Sequence, residues 1–60
     1  MAQSTRQQLL EHIRTTKQAH GVFGEGNWQS EYQVYFDDNL VWFGRKIWKV
    51  PQDIIDLLAN

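Results

Sequence analysis

A chain of 60 residues with no cysteine has neither a disulfide nor a thiolate metal site to fasten it. At this length a chain lies near the lower limit of what folds alone, because small domains hide a smaller share of their surface. Stability must come from apolar side chains packed against one another. Eight residues are Trp, Tyr or Phe, and each can bury roughly 150–250 Å². The expectation is one tightly packed domain spanning 1–60, or a core completed by a second chain.

The hydrophobic pattern predicts an α+β fold: an N-terminal helix, an antiparallel β-hairpin and a short C-terminal helix. The first helix is expected from Thr5 to His20. Ser4 with Gln7, or Thr5 with Gln8, offers a capping box, and Gly21 offers a left-handed stop. Leu9, Leu10 and Ile13 form its apolar stripe. Gly21, Gly24 and Gly26 mark a loop, with room for an additional short strand near Val22 and Phe23. Glu31 to Asp37 alternates as a strand, Asp38-Asn39 supplies turn residues, and Leu40 to Val50 forms the return strand. Gly44 in its middle predicts a bulge or bend. Pro51 ends that strand and suits the start of a helix. Ile54, Ile55, Leu57 and Leu58 give this last helix its apolar face.

The hairpin has apolar residues on both faces in either register. With a two-residue loop at Asp38-Asn39, Tyr32, Val34, Phe36, Val41 and Phe43 share one face, and Tyr35, Leu40 and Trp42 the other. A three-residue loop beginning at Asp37 exchanges the faces of the return strand. Ile47 and Trp48 point to opposite sides. Two amphipathic helices can cover one face only. The other is either covered by Phe23, Trp28 and the glycine loop or is a binding surface.

The net charge is −1, which argues against a general polyanion binder. No apolar stretch approaches the ~20 residues that cross a bilayer, and Met1-Ala2-Gln3-Ser4 lacks the apolar region of a signal peptide. The expected location is cytoplasmic. His12 and His20 stand eight residues apart, about 80° around a helix, so they form no metal-binding pair. No metal or cofactor is expected. Ser4 and Ser30 lack the neighbouring base that a nucleophile requires, and the glycines match no phosphate-loop pattern, so the chain is expected not to be an enzyme.

These features point to a small protein-interaction or regulatory module that uses an aromatic hairpin face. Its partner would be another protein or a second copy of itself. Tyr35, Trp42, Phe43 and Trp48 are the candidate anchors, with Arg45, Lys46 and Lys49 on the rim. The alternative is nucleic-acid binding through the segment Trp42–Lys49, where aromatic and basic residues interleave.

Overall fold

The computed structural model describes residues 4–59 of the chain. The reading of Met1–Gln3 lies outside them. The elements run α1 (Thr5–Thr16), β1 (His20–Phe23), a 3-10 turn (Gly26–Trp28), β2 (Ser30–Tyr35), β3 (Leu40–Phe43), β4 (Lys46–Lys49) and α2 (Gln52–Ala59). The strands form an antiparallel sheet in the order β1-β2-β3-β4. The additional strand near Val22 and Phe23 is β1, and the overall plan is the α+β arrangement that the sequence predicts.

Helix α1 begins with a capping box. The Gln7 backbone N–H donates to Ser4 Oγ at 3.2 Å, and the Ser4 N–H donates to Gln7 Oε1 at 3.1 Å. The helix stops at Thr16, short of His20. Lys17 takes the left-handed conformation at φ 57°, and its N–H donates to the Ile13 carbonyl at 2.7 Å. His20 is therefore the first residue of β1 and not a helix end. Gly21 is not a cap either. It lies in β1 opposite Tyr32, where an added Cβ would sit 3.3 Å from the tyrosine oxygen. Its lack of a side chain makes room for that ring.

The return strand is divided. Gly44 and Arg45 form a two-residue turn between β3 and β4, with Phe43 paired to Lys46. Gly44 has φ +59°, and Arg45 is not among the positive-φ residues. A positive φ at the first central position followed by a negative one suits a hairpin turn with glycine leading. The first hairpin closes over four residues, Phe36–Asn39, with Tyr35 opposite Leu40. This is two residues longer than a turn at Asp38-Asn39. An even change in loop length preserves the side-chain alternation, so Tyr32, Val34, Val41 and Phe43 still share one face. Phe36 leaves that set because it lies in the turn.

Both helices pack on that face. The core joins Leu9, Leu10 and Ile13 of α1 and Ile54 and Ile55 of α2 to Tyr32, Val34, Val41, Phe43 and Val50. Arg14 of α1 bonds Asp53 of α2 at 2.9 Å. At the free edge of β4, Arg6 Nη2 donates to the Lys49 carbonyl at 3.1 Å. This occupies an acceptor that an edge strand otherwise presents to another chain.

Candidate functional site

Among the described residues, no element covers the other face of the sheet. Register and pleat place its residues in three cross-strand rows. Val22 lies beside Glu31. His20, Gln33, Trp42 and Ile47 form the middle row. Tyr35, Leu40 and Lys49 form the third. Side chains on a strand alternate between faces, so these are the residues that the core does not take. Val22 is 56% exposed, Trp42 and Ile47 45% each, and Tyr35 42%. The rings of Tyr35 and Trp42 meet edge to face, 6.4 Å between centroids. A shallow, open concavity on this face runs from His20 and Val22 past Glu31 and Gln33 to Tyr35 and Trp42.

The glycine loop does not fold over this surface. It turns toward the helix side, where Phe23 packs on His12 at 4.9 Å, on Trp28 at 5.7 Å and on Phe43 at 5.9 Å. Gly24 is needed there. Its φ is +137°, and a Cβ would lie 2.6 Å from the Gln29 Cα. The loop closes the end of the core and leaves the opposite face bare.

Of the four aromatic anchors read from the sequence, Tyr35 and Trp42 lie on the open face. Phe43 is buried in the core, and Trp48 packs against that core, its ring stacked on Phe43 at 5.9 Å. Neither is available as an anchor on the open surface. Val22 and Ile47 are the other large apolar residues exposed on that surface. The sequence signal for Ile47 was its alternation with Trp48. Val22 could be placed only once β1 was known to pair with β2.

The basic residues do not form one patch. Lys49 lies on the open face, Arg45 at the tip of the second hairpin, and Lys46 in the row of Tyr32 and Phe43, which is the helix side. Among the described residues these three cations have no side-chain hydrogen bond or ion pair. Arg14 is engaged by Asp53 and Arg6 by the Lys49 carbonyl, so α1 adds neither to the open face. Among the described residues no group of three His, Cys, Asp or Glu converges as metal ligands. His12 packs against Phe23 and Tyr32, whereas His20 lies on the open face. No described helix is long and apolar enough to cross a membrane.

Fold and surface together define a class: a two-layer α+β domain whose four-stranded meander carries both helices on one face and, among the described residues, leaves open a second face that mixes apolar and polar side chains. The chain matches no protein-family model, and no curated protein or solved structure is significantly similar to it.

Proposed function

We propose that this chain is a small, non-catalytic protein-interaction or regulatory module that docks a partner protein on its open sheet face. The observation that carries this reading is the grouping of Val22, Tyr35, Trp42 and Ile47 on one face, each more than two-fifths exposed. An antiparallel sheet that meets only water on one side ordinarily presents polar residues there, and here Tyr35, Trp42 and Ile47 are exposed apolar neighbours, a mark of an interface. Trp and Tyr are the residues that contribute most per contact when a partner desolvates them. We place the module in the cytoplasm, in keeping with a chain without cysteine.

The test is site-specific photo-crosslinking in the native cell. A photoreactive phenylalanine at position 42 or 47 should give discrete protein adducts. The same group at Asp56, on the exposed side of α2, should give none. Absence of adducts from both sheet positions would overturn the proposal.

The second reading, nucleic-acid binding, is favoured by the three unpaired cations Arg45, Lys46 and Lys49. Against it, Trp42 is the one exposed ring among the Trp42–Lys49 aromatics, Phe43 being buried and Trp48 packed against the core, and bases stack on exposed rings. Titration with single- and double-stranded DNA and RNA at two salt concentrations separates the readings. Binding that weakens steeply with salt and disappears in Lys46→Ala/Lys49→Ala would favour nucleic acid.

A further inference from the structure

Resting on the interaction reading above, we infer that the occupant of the open face is a second copy of this chain. The two copies pack face to face about a two-fold axis that sets Glu31 of each against Lys49 of the other.

A two-fold interface uses one patch on both subunits, so that patch must be complementary to itself. The open face meets this condition through two charged residues at opposite corners. Glu31 pairs with Val22 at one end of β2, and Lys49 pairs with Leu40 at the far end of β4. Two strand spacings and four residues separate them, roughly 10 Å by 13 Å. Neither has a hydrogen-bond or ion-pair partner for its side chain among the described residues. Trp42 lies between them, in the middle row.

An axis in the plane between two such sheets, passing over Trp42 and perpendicular to the Glu31–Lys49 diagonal, exchanges the two corners. Each carboxylate then meets the other copy's ammonium, and the interface contains the pair twice. Trp42 faces Trp42, and the apolar residues around it lose water together. The strands of the two sheets cross steeply, toward the orthogonal class of sheet packing. The net charge of −1 per chain gives two copies little reason to repel one another.

The size of the face sets the strength. Four strands about 4.8 Å apart, three of four residues and one of six, present a footprint of roughly 300 Å². A standard interface takes roughly 800 Å² from each partner. The dimer is therefore a weak one, in exchange with monomer.

Sedimentation equilibrium on the full chain tests this, from about ten micromolar to about one millimolar, the range a small interface requires. The expected result is a monomer–dimer equilibrium. Trp42→Lys should raise the dissociation constant more than about tenfold, because it places a charge at the centre of the buried patch. Its circular dichroism should be unchanged. Glu31→Lys and Lys49→Glu should each weaken the dimer about threefold or more, and the double reversal should bring it back near the parent value. Restoration by the double reversal is not expected of unspecific aggregation. Three results overturn the inference: a strict monomer at the highest concentration, a dimer indifferent to Trp42→Lys, or single reversals that the double variant does not rescue. Crosslinking at position 42 keeps the two readings apart. A strict monomer whose adducts join a different protein overturns self-association and leaves the interaction reading standing. No adduct of any kind removes both.

Discussion

The Arg14 guanidinium of α1 donates to Asp53 Oδ2 of α2 at 2.9 Å, and it is the one ion pair among the described residues. It joins the two helices across the outside of the core. The hydrogen bond from Arg14 is the largest influence on the Asp53 carboxyl and holds its pKa below the ordinary value. Slight desolvation opposes this, and the positive charge of Arg14 adds to the lowering. A carboxylate with a lowered folded-state pKa binds fewer protons folded than unfolded. Its contribution is fully present above the unfolded pKa and is lost as pH falls through the folded one. Both side chains are about half exposed, so the contribution is small and screened by salt. Urea unfolding of Asp53→Asn between neutral pH and the acid range should show a flatter acid limb than the parent, with the difference shrinking in high salt. Identical pH profiles would mean that the pair contributes nothing.

Trp42 and Phe43 are adjacent in sequence and opposite in consequence. Phe43 is 6% exposed, whereas Trp42 is 45% exposed. Phe43→Ala should cost about 3–5 kcal/mol through lost transfer and a residual cavity. Trp42→Ala, measured where the chain is monomeric, should cost under about 1 kcal/mol. A domain of this length has roughly 3–9 kcal/mol in total, so Phe43→Ala is expected largely unfolded. Phe43→Leu gives a measurable intermediate. Equal costs at positions 42 and 43 would contradict the register.

The sequence left the faces of the first hairpin open between two registers, and the four-residue turn gives the faces of the two-residue one, because an even change in loop length leaves the alternation intact. The turn could gain two residues without moving Tyr32, Val34, Val41 or Phe43 to the other side. The end of α1 was not legible. Its residues through His20 are compatible with a helix, but Ala19 and His20 are drawn into pairing with β2, where the Val34 N–H donates to the Ala19 carbonyl at 2.7 Å. Tertiary pairing overrides a weak local preference of this kind. The second hairpin carried a usable signal, a glycine between two short apolar runs, that reads equally as a bulge. That the second face carries large apolar residues followed from composition, but whether the glycine loop covers it, and which aromatics lie on it, required the register of all four strands. The proposed self-association has a weaker trace in the sequence, since Glu31 and Lys49 become a pair of corners only when the sheet is assembled.

The glycine loop and the second hairpin should respond differently to alanine. At Gly24 a Cβ would meet backbone, the Gln29 Cα at 2.6 Å and the Trp28 carbonyl oxygen at 2.7 Å. At Gly44 the nearest atom is the Ser30 hydroxyl at 2.8 Å, which can rotate away. Both positions also strain an L-residue through positive φ. Gly44→Ala should cost about 1–2 kcal/mol, and Gly24→Ala more, about 3 kcal/mol, because the loop itself must shift. Denaturant midpoints give the order. A larger loss at Gly44 would mean that the loop yields more easily than the turn.

Asn39 links the first turn to the last helix, and its two contributions can be separated. It sits in the left-handed region at φ 55°, which asparagine tolerates better than most residues. Its N–H reaches the Phe36 carbonyl at 3.3 Å, and its carbonyl accepts from the Val50 N–H at 2.8 Å. Its side-chain amide donates to Gln52 Oε1 at 2.9 Å, while Gln52 Nε2 donates to Asp56 at 3.0 Å. Asn39→Gly keeps the conformation and loses only the exposed amide bond, a cost of about 0.5 kcal/mol. Asn39→Ala adds the left-handed penalty, for about 1–2 kcal/mol in all, and Asn39→Val, with its branched Cβ, should cost more. Gln52→Ala loses the bond to Asp56 as well, so it should cost at least as much as Asn39→Gly. Thermal unfolding of the four variants decides the matter: a glycine variant as unstable as the alanine one would assign the effect to the side-chain bond, and the backbone conformation would then be of little consequence.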